Sequence, residues 1–214
     1  MGWFRRTPAS GDSTGRPKAI EQESSELVAS VVESAGKYYL IGFMGSGKTS
    51  VGSRLADLTG MEFVDLDRAV EADAKMPISR IFAEHGEAGF RRLESATLRC
   101  LAGREDGLVI ATGGGTPTRP DNVELMRSTG ITFWLDPSFD AILSRLNTAD
   151  RQQRPLFASP AQARALYEER RHSYSSAGLR VELGTDEPPD EVARRIIRMS
   201  LEADSAGRSQ ADRR

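Results

Sequence analysis

Cysteine is nearly missing from this chain of 214 residues: Cys100 stands alone. An intrachain disulfide is therefore excluded, as is a metal site built on several thiolates, and a reducing compartment, by default the cytoplasm, is the expected setting. Histidine is almost as scarce. His85 and His172 lack metal-ligand spacing, so no transition-metal site is expected. Long apolar runs are also lacking, the longest being strand-sized and well short of the ~18 residues that span a bilayer. Nor does charge lean to one side: 29 Lys and Arg against 31 Asp and Glu leave a net charge of -2, which gives no electrostatic reason to seek nucleic acid or a membrane surface. No internal repeat is visible. What is present, 38% hydrophobic and 28% charged residues, describes a globular protein with small-molecule partners. A monomer is the default expectation.

The length suits one domain with tails. Residues 1–36 are rich in Ser, Gly, Pro and charge, with apolar spacing only in ELVASVV (26–32), and read as a flexible N-terminal extension. Arg5 and Arg6 suit an organelle-targeting peptide, whereas Asp12, Glu21, Glu23 and Glu26 argue against one. Residues 204–214 offer nothing to bury and read as a disordered tail, leaving 37–203 as the working domain.

Within it, KYYLIGF, EFVDLD, LVIAT, ITFWLD and LRVELG are short runs of strand-forming residues, separated by segments with helical spacing. Val51, Leu55 and Leu58 stripe one such segment; Phe90, Leu93, Thr97 and Leu101 stripe another. Ser159, Pro160 and Gln162 open a further helix as cap, first position and capping-box partner. The alternation predicts a three-layer α/β/α fold on a five-stranded parallel sheet, with ligands beyond the carboxyl ends of the strands.

Directly after the first strand, Gly42-Phe43-Met44-Gly45-Ser46-Gly47-Lys48-Thr49 fits the phosphate-loop pattern G-x-x-x-x-G-K-[ST] and leads into helical periodicity. Backbone N–H groups of Gly45, Ser46, Gly47 and the following turn through Ser50 can curl around phosphates. Lys48 reaches the terminal phosphates, and the Thr49 hydroxyl can ligate Mg²⁺. A bound nucleoside triphosphate follows. The second strand ends in Asp65 and Asp67, which point the same way if the backbone stays extended; one acid can hold hydrated Mg²⁺ and the other accept a proton from a hydroxyl, although either can instead cap the next helix. Arg91 and Glu94 are neighbours on a helix, with a solvated ion pair as the plain alternative to a carboxylate grip. At the end of the third strand, Gly113, Gly114 and Gly115 stand where an acidic residue is usual in phosphate-loop proteins. Backbone without side chains can there approach an acceptor and the γ-phosphate closely, leaving metal duty to Thr49 and Asp65.

The ordered set GFMGSGKT, DLD, FRRLE, GGG, QQRPLF and YEERRHSY, from about residue 40 to residue 201, resembles the shikimate kinase family, in the nucleoside-monophosphate-kinase-like branch of phosphate-loop proteins. The resemblance implies ATP and Mg²⁺ as cofactors and transfer of the γ-phosphoryl to the 3-hydroxyl of shikimate, a step in aromatic amino acid biosynthesis. It implies that Asp67 binds the ring hydroxyls and takes the proton, that Asp65 sits near Mg²⁺, and that Arg91 and Arg170 clamp the substrate carboxylate, with Glu94 orienting Arg91 or contacting the substrate side of the site. Arg154 would act from a mobile lid at about 147–160, and Arg145 would stack on adenine, with a plain i,i+4 surface role as its alternative. Arg171 adjoins Arg170, and a different helix rotation would make it the clamp. The acidic, proline-rich stretch GTDEPPDE (184–191) departs from the family pattern and leaves the adenine contacts open, and the N-terminal extension has no assigned role.

Overall fold

The computed structural model describes residues 36–145 and 160–211. Strand β1 (Lys37–Ile41) is buried along its whole length and sets the layering. Its side chains alternate between faces. Tyr38 and Leu40 join a cluster with Val51, Leu55, Val109, Phe133 and Ile196, while Tyr39 and Ile41 join one with Leu66, Phe90, Ile110, Trp134 and Tyr174. A strand covered on both faces reads as continuously apolar, which is why KYYLI shows no polar alternation.

After β1 come α1 (Lys48–Thr59), β2 (Glu62–Asp65), α2 (Leu66–Ala74), α3 (Ile78–Ala102) and β3 (Leu108–Ala111). A 3-10 turn (Thr116–Thr118) leads to α4 (Pro120–Thr129), β4 (Ile131–Pro137), α5 (Phe139–Arg145), α6 (Pro160–Ala177), β5 (Leu179–Leu183) and α7 (Pro189–Ala211). The strands lie in the order β2-β3-β1-β4-β5, and all four pairings are parallel. This is the predicted three-layer sheet. Register aligns the carboxyl ends: Asp65 and Leu40 stand on either side of Ala111, and Ile41 stands beside Trp134. The chain thus leaves β1, β2, β3 and β4 along one rim, and the strand order reverses on either side of β1, the place where a crevice opens in such folds.

Helix α7 continues to Ala211, beyond the Ala203 boundary read from the sequence. A helix already nucleated on the core adds residues at little cost, so a stretch with nothing to bury can still extend it. Residues 1–35, residues 146–159 with Arg154 and nearly all of the expected lid, and residues 212–214 lie outside the described residues. Among the described residues no helix is long and apolar enough to cross a membrane.

Candidate active site

The loop that follows Ile41 turns through three glycines with positive φ, Gly42 (142°), Gly45 (74°) and Gly47 (94°). At Gly42 a side chain is excluded twice, by the φ and because a Cβ would lie 2.6 Å from Leu135 O on β4. Lys48 Nζ donates to Gly42 O (2.9 Å), Phe43 O (2.8 Å) and Ser46 Oγ (3.4 Å), so its ammonium is folded back over the loop. Ser46 is buried and shapes the loop from within, its N–H donating to Phe43 O. Gly47 caps α1 without a side-chain hydrogen bond, and the first turn holds no acid. The N–H groups of that turn therefore face outward beside exposed Thr49 and Ser50, a ready anion site.

Asp65 and Asp67 do not share an extended strand. Strand β2 stops at Asp65, which has β-region φ and ψ and caps α2, its Oδ1 accepting from the N–H groups of Asp67 (3.1 Å) and Arg68 (3.3 Å). Aspartate favours this position, and the cap starts the helix at Leu66. The other oxygen, Oδ2, accepts from Thr49 Oγ1 at 3.3 Å, so capping and contact with the phosphate loop coexist in one carboxylate. Asp67 sits in the first turn of α2. Burial raises its pKa above the ordinary value, aided by the nearby Asp65 and Glu94 charges, and Lys48 and Arg91 pull the other way. The five groups form one electrostatic unit.

Helix α3 breaks at Gly86 (φ 65°, ψ -178°), and the segment beyond it carries Phe90, Arg91 and Glu94. Arg91 and Glu94 are no solvated pair: their side chains are 16% and 0% exposed. Arg91 Nη1 donates to Glu94 Oε2 (3.0 Å) and Nη2 to Glu87 Oε1 (3.3 Å), while Glu94 Oε1 accepts from Thr116 Oγ1 (2.7 Å). Both oxygens of Glu94 are committed, which fixes the Arg91 guanidinium.

Strand β3 is tied to β1 where Thr112 donates to Leu40 O through both N and Oγ1 (3.0 and 3.1 Å). The three glycines follow. None of them has a positive φ, so they answer a need for space and not for an unusual backbone. A Cβ on Gly113 would lie 2.8 Å from Glu94 Oε1 and 3.1 Å from Asp67 Oδ1; on Gly114, 3.1 Å from Arg170 Nη1; on Gly115, 2.6 Å from Arg91 Cζ and 2.7 Å from its Nη1. The glycine run is the floor against which Asp67, Arg91, Glu94 and Arg170 converge. Gly115→Ala is accordingly expected to push the Arg91 guanidinium off its seat on buried Glu94, with a drop in Tm beside the displaced grip. Steady-state kinetics should show a larger rise in acceptor KM for Gly115→Ala than for Gly114→Ala, with ATP KM unmoved.

On α6 the two adjacent arginines part company. Arg170 faces Gly114, next to Tyr174, whose hydroxyl donates to Gly114 O at 2.7 Å. Arg171 instead grips Asp136. The helix rotation that the sequence left open thus turns Arg170 toward the glycine floor.

The family model for shikimate kinase matches residues 44–200. This chain belongs to the shikimate kinase family. It is 43% identical over 158 residues to a shikimate kinase of Helicobacter hepaticus, covering 74% of this chain and 92% of that one. It is 47% identical over 164 residues to one from Synechococcus sp. strain CC9605, covering 75% and 80%. Among solved structures, a shikimate kinase from Acinetobacter baumannii in complex with shikimate superposes with a TM-score of 0.73 at 32% identity, over 82% of this chain and 98% of that one. A gluconokinase from Sinorhizobium meliloti shares the fold, with a TM-score of 0.55 at 16% identity. The stretch matched by the shikimate kinase family includes each of the convergent side chains.

Arg145 lies away from that convergence. Its Nη2 donates to the carbonyls of Gly184 (3.2 Å) and Thr185 (2.8 Å), bracing the acidic loop after β5, where the Gly184 N–H donates in turn to Glu187 Oε2 at 3.2 Å. Sequence reasoning missed Tyr174 and Thr116. The first was marked only by its place four residues after Arg170; the second has no local signal, since its partner Glu94 is distant in the chain. Burial drives the pKa of the Tyr174 hydroxyl up to about 12, so it stays protonated as a donor to Gly114.

Proposed function

We infer that the chain transfers the γ-phosphoryl group of ATP to the 3-hydroxyl of shikimate, giving shikimate 3-phosphate and ADP. The observation that carries this reading is the convergence of Asp67, Arg91, Glu94 and Arg170 on the glycine run beside Lys48. An acceptor that is both an anion and a polyol calls for such a set. Arg91 and Arg170 would hold the carboxylate, and Gly113, Gly114 and Gly115 would let the ring lie against backbone. Asp67 would take the proton of the attacking hydroxyl at its carboxylate oxygen. Phosphoryl transfer requires mainly in-line placement and neutralised charge. Lys48 and the N-terminus of α1 supply the charge for the phosphates; Arg154 is assigned to the transferring group from sequence, and Arg145 to the adenine side.

Thr49 and Asp65 present hard oxygen donors 3.3 Å apart at the mouth of the phosphate loop, which suits Mg²⁺. Among the described residues no three His, Cys, Asp or Glu side chains gather as a dedicated metal cage. Mg²⁺ commonly binds through one or two protein oxygens with phosphates and water completing its shell, and when bound it neutralises developing phosphate charge. The single cysteine fits a reducing compartment, by default the cytoplasm, and a monomer is kept as the default state.

An ADP-release assay offering shikimate, gluconate and nucleoside monophosphates in turn tests the reading, with turnover expected for shikimate; absence of shikimate-dependent turnover at millimolar acceptor overturns it. Arg91→Lys keeps the charge but loses the two-pronged grip. Its acceptor KM is expected to rise roughly tenfold or more, the weight of one charge-assisted hydrogen bond, while ATP KM holds. A rise confined to ATP KM would mean the site is divided wrongly.

A further inference from the structure

The acceptor-binding role assigned to Arg170 leaves a question of mechanics. A helix turns about 100° per residue, so the direction in which Arg170 points depends on what fixes the rotation of α6. Apolar packing alone fixes it weakly, being non-directional. The buried residues on this helix are Ala163, Tyr167, Tyr174 and Ala177; they set a face but no angle to within a fraction of a residue.

A directional constraint lies next to Arg170. The carboxylate of Asp136, 2% exposed at the end of β4, accepts from Arg171 through both prongs, Nη1 to Oδ1 at 3.0 Å and Nη2 to Oδ2 at 3.1 Å. Arg180 on β5 adds a third bond, Nε to Oδ2 at 2.7 Å. Arg171 Nη1 also donates to the Tyr167 hydroxyl (2.7 Å), and that hydroxyl donates to Pro137 O (2.9 Å). The guanidinium groups of Arg171 and Arg180 lie 5.2 and 5.6 Å from the centre of the Trp134 ring. On its far side Tyr167 meets Phe43 of the phosphate loop edge-to-face, with ring centres 5.5 Å apart. Tyr167 and Arg171, four residues apart, form one stripe of α6 against the end of β4. Arg170 and Tyr174, also four apart, form the next stripe against Gly114.

We propose that Arg171 is a positioning residue: gripped by Asp136, it locks the rotation of α6 and so delivers the neighbouring Arg170 to the acceptor carboxylate. Two arginines that compete for one role in the sequence therefore divide the work, one touching substrate and the other aiming it. This rests on the shikimate kinase reading above. Arg180 also holds Asp136, so the buried carboxylate keeps a partner when Arg171 is changed, and the fold is expected to survive the substitution.

The test compares wild type, Arg171→Met and Arg171→Lys in the full chain, by steady-state kinetics with shikimate and ATP and by thermal melting. Arg171→Met is expected to raise shikimate KM roughly tenfold, within the ~100-fold that an ångström of misplacement can cost, with ATP KM unchanged and a cooperative melt retained. Arg171→Lys should fall between the two, since it restores charge without the fork. If a folded Arg171→Met keeps the wild-type shikimate KM, or if both KM values rise together, the proposal is overturned and the functional reading stands. Should Arg171→Met fail to fold, Arg171→Lys decides by the same split. A wild-type chain without shikimate turnover overturns the functional reading, and the proposal falls with it.

Discussion

Asp67→Asn is expected to lower kcat by roughly 10²- to 10⁴-fold, the usual weight of a positioned proton acceptor, and at neutral pH to raise Tm. The two effects share a cause. Burial, reinforced by Asp65 and Glu94, lifts the pKa of Asp67 above 3.8, which means that the folded state holds its proton more tightly than the unfolded chain does. A carboxyl with a raised folded pKa contributes stability below the unfolded value and loses it as pH rises through the folded one. Above that point the ionised Asp67 is a standing cost, and Asn removes it. The gap in Tm between variant and wild type should therefore close on acidification, as the wild-type carboxyl takes up its proton. Over the same window the kcat/KM of wild type should fall with falling pH, because the base is being consumed. Turnover of Asp67→Asn within tenfold of wild type would remove Asp67 from the chemistry. An Asp67→Asn variant that melts below wild type at neutral pH, with the deficit vanishing in acid, would mean that the carboxylate is stabilised by Lys48 and Arg91 and not strained by burial.

Lys48→Ala should cost roughly 10²- to 10³-fold in kcat, the scale for losing one preorganised charge partner of a reaction's developing negative charge. Its ammonium makes three bonds within the phosphate loop, to Gly42 O, Phe43 O and Ser46 Oγ, so a rise in ATP KM should accompany the loss. The sheet should not notice. Tyr38, Leu40, Val51 and Leu55, which seat β1 and α1, are buried together in the apolar core, so Tm should change little. Thermal melting and single-turnover kinetics on the same sample check both halves; near-normal turnover would show that the loop only binds.

The phosphate loop was legible because its chemistry is local: glycines, lysine and threonine sit within eight consecutive positions between a strand and a helix. The sheet was legible for a similar reason, since central parallel strands must be apolar throughout. Legibility failed where an angle was decided by a distant partner or by a side chain folding back. The start of α2 at Leu66 depends on Asp65 turning its side chain to its own backbone, and the strand-like string EFVDLD conceals that turn. The choice between Arg170 and Arg171 depends on Asp136, 35 residues earlier than Arg171. At the glycine run the composition announced something special, but only the facing side chains distinguish a demand for space from a demand for a left-handed backbone.

The same crowding bears on how this pocket could be blocked. A compound resting on Gly113, Gly114 and Gly115 would touch main-chain atoms there, and the surrounding side chains are already engaged with one another. Glu94 fixes Arg91, Asp67 lies against Gly113, and Tyr174 holds Gly114. Resistance by substitution has few routes in such a place. A larger residue on the floor would displace an arginine or a carboxylate to which the proposed reaction assigns a role, so on that reading escape from the compound and loss of activity arrive in the same step.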